Sequence, residues 1–545
     1  MNKLSAKIYQ RISLLKTNIR HNQDLLSQKS IYKKLKYNPK FSIIVPIYNP
    51  NPMHLDACIK SVLVQKYKKW ELVLVDDHST NPQIKKLLQK YQDHPQIKVV
   101  FKKTNTHISD TSNIAIKYST GDYIGLLDHD DTIFPSTLFE IAKILNQNKK
   151  IDFIYTDEDK LNKYGLHVDP HLKSDFQLDT FLSHNYLCHF SVIRKSIINK
   201  VKGFRIGYEG SQDYDLFLRI CEITKNIYHL PKVLYSWRQT PNSTAQKYSI
   251  KAYANTASLN ALNNYLKRNK LNAKATDSFQ PGTFKINYKI IENPLVSIII
   301  PTKDNLFYLR QCVDSIISKT TYKNYEVLIV NNNSQEPETL NYFKNINNKK
   351  IKIIDWHYPF NYSLINNFAA IYAKGEYLLF LNNDTQVISN NWIEELLQHA
   401  QRSDIGAVGC KLLYPDNTIQ HAGVKMNLGG IANSVSYRLP DEVSQPYPYL
   451  NTKDIIHNSD AITGACLMVS KNKFSHISGF NPKFKIAYND IDLCLKLKAK
   501  GYRNLYTPFA KLFHYESISI SENRNQKLFL REQNLVKSLW PKYFL

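Results

Sequence analysis

Short apolar runs alternate with stretches of helical periodicity along most of the chain. The first apolar run, at residues 43–46, ends in a proline, an amphipathic stretch of helical length follows at 54–65, and a second apolar run occupies 71–75. Apolar strands that alternate with helices are typical of a mostly parallel sheet covered on both faces. The pattern therefore predicts an α/β fold.

The same pattern occurs twice in the sequence. FSIIVPIYN, beginning at Phe41, matches VSIIIPTKDN, beginning at Val296. Further along, KYKKWELVLVDDHS matches TYKNYEVLIVNNNS, and GDYIGLLDHDD matches GEYLLFLNNDT. A repeat of this length indicates two duplicated domains rather than a solenoid of short units.

The repeat sets the predicted domain boundaries. These are a basic N-terminal segment at 1–40, a first domain at 41–285, a linker at 286–293, a second domain at 294–520 and a C-terminal helical segment at 521–545. In the N-terminal segment apolar residues recur at helical spacing among Lys and Arg, which is typical of a helix that lies on an anionic membrane. A helix packed on the first domain or on a partner chain fits the same pattern.

The composition is that of a folded, basic protein. Hydrophobic residues make up 43% of the chain, and 72 Lys and Arg against 46 Asp and Glu leave a formal charge of +26. Such a charge favours phosphate-rich ligands, nucleic acid or an anionic membrane without choosing among them, and part of it can be compositional bias. The seven scattered cysteines lack the spacing of a zinc site or a disulfide framework and are expected to be reduced core residues.

The sequence also bears on location. No stretch approaches the roughly 18 uninterrupted apolar residues of a membrane-spanning helix. The N-terminus lacks the apolar region and cleavage site of a signal peptide. We therefore expect a cytoplasmic protein.

Polar clusters follow the predicted strands, where ligands of parallel sheets collect. They lie at 76–79, 128–131, 331–334 and 382–384. Asp128 and Asp130 could jointly hold a hard divalent cation, which in turn binds phosphates. Acidic residues at the start of a helix are the alternative. The recurrence of the cluster in both repeats favours the cation.

A second pair of carboxylates lies further along each repeat. SQDYDLFLR contains Asp213 and Asp215, and YNDIDLCLK contains Asp490 and Asp492. Each motif opens an amphipathic helix, so helix capping can account for the second aspartate of each pair. The first aspartate of each is a candidate general base.

The motifs and their order resemble glycosyltransferase family 2, inverting enzymes with the nucleotide-diphospho-sugar transferase (GT-A) fold. The resemblance covers residues 41–245 and 294–520. In the first domain it rests on VPIYN, VDDHS, LDHDD, YTDEDK, GSQDYDLFLR and HLPKVLYSWRQTPNSTA. In the second it rests on IIPTKDN, VNNNS, LNNDT, LYPDNTIQHAGV, TGACLMV, YNDIDLCLKLKAKGYR and YTPFAKLFHYES, a set similar to rhamnosyltransferase-type and O-antigen or exopolysaccharide enzymes.

The resemblance implies roles for particular residues. In the first domain it implies a nucleobase pocket at Pro46, Tyr48 and Asp77, metal and nucleotide-sugar binding at Asp128, the more direct metal ligand at Asp130, and a catalytic base at Asp213. In the second domain it implies a nucleobase pocket at Pro301, Thr302 and Asn332, nucleotide-sugar binding at Asn382, metal ligands at Asp384 and His514, and a catalytic base at Asp490.

The implied function is a bifunctional inverting glycosyltransferase dependent on a divalent cation, Mn²⁺ or Mg²⁺. UDP- or dTDP-sugars would be the donors, and a growing cell-surface glycan of the O-antigen, capsule or exopolysaccharide type would be the acceptor. A lipid-linked acceptor and peripheral association with the inner face of the cell membrane are compatible with the basic N-terminal segment.

Two departures from the family pattern concern the metal site. Asn382 stands opposite Asp128, so the second domain keeps one carboxylate of the pair. Aligning LYSW with LFHY places Ser236 opposite His514, so the first domain lacks that imidazole, and His229 lies nearby in sequence.

Three other functions are alternatives to this one. One domain could be catalytic while the other binds the acceptor, and this alternative stays open. A nucleic-acid-binding protein would show interleaved aromatic and basic residues or a nucleic-acid module, and the sequence shows neither, so no nucleic-acid partner is expected. The QxxRW motif of processive synthases is absent.

Overall fold

The computed structural model describes residues 35–239, 252–428, 430–443, 452–516 and 526–544. The chain forms two compact units: unit 1 comprises Met1–Phe176 and Asn185–Lys270, and unit 2 comprises Gln177–His184 and Leu271–Leu545. The helix expected near the N-terminus falls on residues 1–34, outside the described residues.

Unit 1 contains one large sheet. Its strands are β1 (Phe41–Ile47), β2 (Trp70–Asp76), β3 (Ile97–Phe101), β4 (Tyr123–Leu126), β5 (Thr132–Ile133), β6 (Phe153–Leu161), β7 (His167–His171), β8 (Ser191–Arg194) and β9 (Ile227–Arg238). They lie in the order β3-β2-β1-β4-β8-β6-β9-β5, with β7 beside β6. The pairs among β1 to β4 and the β6–β9 pair are parallel.

Helices cover this sheet, and every residue of β2 is buried. They span Pro52–Leu63, Pro82–Tyr91, His107–Tyr118, Thr137–Gln147, Lys195–Lys200, Gln212–Ile223 and Ala252–Arg268. The first two begin alike, because the side chains of Asn51 and Asn81 accept hydrogen bonds from backbone amides of the first turn and a proline follows each. Both features favour a helix start.

Unit 2 repeats the arrangement with additions. Its strands are β10 (Ala273–Asp277), β11 (Phe284–Tyr288), β12 (Val296–Thr302), β13 (Tyr325–Asn331), β14 (Ile351–Asp355), β15 (Tyr377–Leu381), β16 (Thr385–Val387), β17 (Ile405–Leu413), β18 (Ile419–His421), β19 (Val424–Met426), β20 (Ala432–Ser434), β21 (His457–Ser459), β22 (Cys466–Ser470) and β23 (Arg503–His514).

The main sheet of unit 2 has the order β14-β13-β12-β15-β22-β17-β23-β16, which corresponds strand for strand to unit 1. Strands β18 and β21 flank it, and β10–β11 and β19–β20 form two-stranded sheets. The helices span Leu178–Ser183, Leu306–Lys319, Pro337–Asn345, Tyr362–Tyr372, Trp392–Ala400, Lys471–His476, Asn489–Ala499 and Gln526–Leu539. The predicted α/β class with mostly parallel central strands is confirmed.

A buried polar contact at the edge of the parallel strands occurs in both units. In unit 1 the Ser42 hydroxyl donates to Glu71 and accepts from the Gly121 amide. In unit 2 Ser297 makes the same two contacts with Glu326 and Gly375. A Cβ on either glycine would lie within 2.8 Å of the serine, so only glycine fits. The duplication therefore extends to side-chain detail.

The Leu178–Ser183 helix belongs to unit 2, although its neighbours in sequence belong to unit 1. Its Asp179 carboxylate is buried and lies 2.6 Å from the Arg402 guanidinium and 2.9 Å from that of Arg503. The Asn458 amide donates to the same carboxylate at 2.8 Å. Burial opposes ionisation, but the two arginines outweigh it and hold the pKa of Asp179 well below its usual range.

The Gln526–Leu539 helix supports the loop that precedes the Asn489–Ala499 helix. Its Glu532 side chain is buried and accepts hydrogen bonds from three consecutive backbone amides, at residues 485–487. All seven cysteines are unpaired, and six of them are buried, as expected for reduced core residues.

Candidate active sites

The predicted nucleobase residues of unit 1 lie at the ends of β1 and β2. Pro46 is on β1 and its carbonyl contacts the His129 ring at 3.1 Å, while Tyr48 is half exposed. Asp77 is buried and already paired, because Lys102 lies 2.6 Å from its carboxylate and the Thr106 amide donates to it at 2.9 Å.

The acidic cluster of unit 1 follows β4. The Asp128 side chain is 46% exposed, whereas Asp131 is fully buried. Both Asp131 oxygens are occupied, one by the Tyr235 hydroxyl and the other by the Arg238 amide at 2.7 Å. Burial, together with Asp130 and Asp128, raises the pKa of Asp131 well above its usual range. Asp131 therefore shapes the cluster, while Asp128 and Asp130 are the carboxylates that reach solvent.

His189 joins this cluster from the residue pair before β8. Its Nε2 atom lies 3.8 Å from an Asp128 oxygen. This is too far for a hydrogen bond, but two atoms that bind the same metal ion can lie that far apart. Its ring stacks on Tyr235 with centroids 4.6 Å apart. Ligand atoms of Asp128, Asp131 and His189 all lie within 4.8 Å of one another.

A buried ion pair fixes the backbone at His189. Lys173 is fully buried, lies 3.2 Å from the Glu158 carboxylate, and donates to the backbone carbonyls of Leu187 and His189. Glu158 in turn accepts from the His189 amide at 3.2 Å. Both charges of the pair are thus used to hold the His189 segment, so the ring is presented to the cluster from a rigid support.

Asp213 lies at the start of the Gln212–Ile223 helix. The Asn185 amide donates to its carboxylate at 2.9 Å. Burial raises the pKa of Asp213; the nearby His189 opposes that rise and Asp128 adds to it. Asp215 differs, because it forms buried ion pairs with two arginines of unit 1, Arg205 and Arg219.

In unit 2 the ends of β12 and β13 carry Pro301, Thr302 and Asn332. Thr302 and Asn332 are buried, and the Asn332 amide donates to the Thr302 carbonyl at 2.8 Å. The Asn383 side chain donates to the Thr302 hydroxyl at 3.0 Å, which joins this edge to the polar cluster after β15.

That cluster contains Asn382, Asp384 and His514. The His514 Nε2 atom lies 3.1 Å from an Asp384 oxygen and 3.3 Å from the Asn382 amide nitrogen. Its Nδ1 atom lies 2.7 Å from the side-chain oxygen of Gln420. The structure thus brings together the two residues that the sequence predicts as metal ligands of the second domain.

Asp490 lies in the first turn of the Asn489–Ala499 helix. Its carboxylate accepts from the backbone amides of Gly464 and Ile491, each at 2.8 Å. Burial raises the pKa of Asp490 despite these two donors. Asp492 is buried beneath it and accepts from the Trp540 indole at 2.9 Å, which makes its contacts structural.

Sheet register corrects one sequence prediction. Val387 pairs with Leu512 and Ile133 pairs with Tyr235, and both amides donate to corresponding serines of the preceding helix. Continuing along the strands, Trp237 occupies the position of His514. The prediction that Ser236 stands there is wrong by one residue, which in a strand moves the side chain to the opposite face.

His229, the other histidine near this motif, lies elsewhere in unit 1. Its Nε2 atom is 2.8 Å from Asp157 and its Nδ1 atom 3.3 Å from Asp175. His189 was not among the residues predicted from the sequence. The signal was available: CHFSVIRK in the first repeat aligns with GACLMVSK in the second, so a histidine replaces alanine just before equivalent strands.

Comparison with known proteins identifies the family. Residues 42–202 and 297–477, more than half of the chain, match the model described as Glycosyl transferase family 2. The chain belongs to glycosyl transferase family 2, and each unit has the GT-A fold. The predicted family and fold are therefore confirmed.

Two curated relatives cover most of the chain. It is 40% identical over 527 residues to Uncharacterized protein y4gI of Sinorhizobium fredii (strain NBRC 101917 / NGR234), covering 94% of this chain and 57% of the relative. It is 36% identical over 488 residues to O-antigen biosynthesis protein RfbC of Myxococcus xanthus, covering 89% of this chain and 38% of the relative. The chain thus corresponds to only part of the length of each.

Among solved structures, S. aureus TarS 1–349 in complex with UDP-GlcNAc is similar at 20% sequence identity with a TM-score of 0.34, over 42% of this chain and 72% of that one. None of the helices in the described part of the chain has the length and apolar character needed to cross a membrane.

Proposed function

We propose that the protein is a bifunctional inverting glycosyltransferase in which each unit transfers a sugar from a nucleotide-diphospho-sugar to a growing cell-surface glycan. The observation that carries the proposal is that each family 2 unit has a part-buried aspartate at a helix start and, after β4 or β15, a cluster that contains a carboxylate and an imidazole. The similarity to a protein named for O-antigen biosynthesis supports the choice of a surface glycan.

In unit 1, Asp213 is the proposed base and Asp128 and Asp130 are the proposed metal ligands. His189 faces Asp128 and is the imidazole available to the same cation. Pro46 and Tyr48 line the proposed nucleobase pocket. Asp77 is placed there with its Lys102 partner, so it would contact the base from within an existing ion pair.

In unit 2, Asp490 is the proposed base and Asp384 and His514 are the proposed metal ligands. Asn382 takes the place of a carboxylate, and its amide can donate to a phosphate or ribose oxygen. Pro301, Thr302 and Asn332 line the proposed nucleobase pocket.

The chemistry asks two things of these residues. The base must accept the proton of an acceptor hydroxyl, so that the oxygen attacks the anomeric carbon in line with the departing nucleoside diphosphate. A bound Mn²⁺ or Mg²⁺ would neutralise charge on that leaving group. Carboxylate oxygens and an imidazole nitrogen suit Mn²⁺, and the carboxylates suit Mg²⁺.

UDP- or dTDP-sugars are the proposed donors, and a lipid-linked glycan at the inner face of the cell membrane is the proposed acceptor. The formal charge of +26 supports contact with anionic lipid or diphosphate groups. The proposed location is the cytoplasm, with the protein peripheral to the membrane.

The test is a donor screen with the purified chain, Mn²⁺ or Mg²⁺ and a panel of UDP-, dTDP- and GDP-sugars. Asp213→Asn and Asp490→Asn should each reduce one transfer by about 10²–10⁴-fold and leave the other intact. Asp93→Asn, at an exposed position of unit 1, is the matched control.

Two outcomes would count against two active sites. If both single variants kept the full product spectrum, the proposed bases would be wrong. If Asp490→Asn changed nothing while Asp213→Asn abolished all transfer, unit 2 would be an acceptor-binding domain. One observation favours this second candidate function, in which unit 2 only binds the acceptor: Asn382 stands in place of a carboxylate.

A further inference from the structure

We propose that Gln420 and Glu516 form a hydrogen-bond relay that fixes the His514 ring with its Nε2 lone pair toward Asp384, as a ligand for a divalent cation in unit 2. The inference rests on the proposed function of this site. It adds two positioning residues outside the ones that would bind the cation.

The first step is the orientation of the Gln420 amide. Its nitrogen lies 3.2 Å from a Glu516 carboxylate oxygen, and an ionised carboxylate can only accept hydrogen bonds. The Tyr414 hydroxyl donates to the same oxygen and holds it in place. The amide nitrogen of Gln420 therefore points to Glu516, and its oxygen points the other way, to His514.

The second step is the tautomer of His514. The Gln420 oxygen lies 2.7 Å from Nδ1, and an amide oxygen can only accept, so Nδ1 carries a hydrogen. In the neutral ring Nε2 then carries no hydrogen and is an acceptor. Metal-binding histidines commonly donate their other ring N–H in this way, which sets both the tautomer and the ring orientation.

A carboxylate oxygen faces the Nε2 atom of His514. An Asp384 oxygen lies 3.1 Å from Nε2, and that oxygen is buried without a hydrogen-bond donor among the described residues. The Asn382 side-chain nitrogen lies 3.3 Å from Nε2 and can donate to it, but it does not reach the Asp384 oxygen. The Asp384 oxygen and Nε2 are both acceptors at 3.1 Å, and a positive group beside both would remove their repulsion.

A divalent cation fits that spacing. Two ligand atoms about 2.1 Å from an ion, at right angles, lie about 3.0 Å apart. The His514 side chain is only 10% exposed, so its lone pair is aimed into the site rather than into solvent. A doubly protonated ring would also satisfy both acceptors, and the experiment below separates that case from a cation.

Unit 1 has no counterpart of this relay at the same register position, because Trp237 stands where His514 stands. The relay is therefore specific to unit 2. Its effect can be measured against a background in which the proposed unit 1 carboxylates are replaced by amides.

The experiment measures Mn²⁺ binding by the full-length chain carrying Asp128→Asn and Asp130→Asn, using electron paramagnetic resonance of free Mn²⁺. Gln420→Leu should weaken the His514-dependent site by about 10–100-fold. In a His514→Ala background the same substitution should have little further effect, since coupled residues deviate from additivity.

Two further variants sharpen the result. The double variant Gln420→Glu with Glu516→Gln keeps an acceptor oxygen at residue 420 facing His514 and gives residue 516 an amide that donates to residue 420. It should therefore restore most of the Mn²⁺ affinity that Gln420→Leu loses. Gln398→Leu removes an equally buried glutamine that contacts Glu395 and Tyr288, and it should bind Mn²⁺ like the parent.

Three results would overturn the inference: no His514-dependent Mn²⁺ binding, parent-like binding by Gln420→Leu, or an equal loss in the His514→Ala background. The first is also the result expected if a proton rather than a cation bridges the two acceptors. Because the readout is binding, a chain that bound Mn²⁺ as expected but transferred no sugar would refute the proposed function and leave the relay standing.

Discussion

Each unit has one histidine beside its acidic cluster, and the two histidines come from different positions in the fold. His514 comes from the end of β23 in unit 2, whereas His189 precedes β8 in unit 1. At the β23 position unit 1 has Trp237, whose ring contacts that of His189 edge-on at 5.7 Å. The aromatic residue thus takes the place of one histidine and packs against the other.

This difference gives a prediction for His189→Ala. If His189 supports the cation or the diphosphate, transfer by unit 1 should fall by about 10–100-fold and transfer by unit 2 should not change. Product analysis with each donor measures both. His94→Ala, which removes a ring stacked on Trp70 elsewhere in unit 1, is the control. Unchanged unit 1 transfer would show that His189 only fills space.

The pKa of Asp490 predicts a pH dependence. Burial raises that pKa, and a base must be deprotonated to act, so transfer by unit 2 should decline on acidification at a pH above the usual aspartate value of about 3.9. The measurement is kcat/KM for the unit 2 product in an Asp213→Asn chain. A profile that stayed flat down to the usual aspartate range would contradict this.

How far the sequence predicts single residues is visible at these positions. The family resemblance was sufficient to predict that Asp384 and His514 lie together. His514 ends β23, and Asp384 directly precedes β16, which pairs with β23. Ser236 was misplaced by one residue, since an alignment of four letters cannot fix strand register. His189 was missed because the two repeats do not share it: the second repeat has alanine at that position.

At the scale of secondary-structure elements, the Leu178–Ser183 helix depends on contacts that are distant in sequence. A six-residue helix has little stability of its own. Contacts with the rest of unit 2 therefore hold it in place, among them those of Asp179 with Arg402 and Arg503. Nothing in the local sequence predicts this, because the arginines lie more than two hundred residues away.

Asp179→Asn should destabilise unit 2 by about 3–5 kcal/mol, because it leaves two arginines without their buried carboxylate. The pKa of Asp179 is lowered on folding, so its contribution is present above the usual aspartate pKa and is lost as the pH falls below it. Chemical denaturation at neutral and acidic pH measures this, with Asp93→Asn as control. Equal midpoints for the parent and Asp179→Asn at neutral pH would contradict it.

At the scale of the whole molecule, the duplicated strand order was predictable because apolar runs, prolines and polar strand ends recur in both repeats. The division of the chain into two units was harder to predict from the sequence. Residues 177–184 group with unit 2, and β10 and β11 belong there as well, although both precede the second repeat. Such grouping depends on long-range packing rather than on motif boundaries.

The two units share a fold and differ in the source of the imidazole, in the carboxylate that Asn382 replaces and in the residues around each base. Differences of this kind are expected if the copies accept different donors. If both units transfer sugars, each polypeptide supplies one active site of each kind.

The placement of the Leu178–Ser183 helix has a practical consequence for recombining such enzymes. A chimaera joined at residues 286–293 would combine a foreign second domain with the host's own Leu178–Ser183 helix, so the positions of Arg402 and Arg503 in the imported domain would face a helix from a different protein. Successful grafts should therefore carry this short helix together with the second domain, as a two-piece cassette whose parts are separated in the gene.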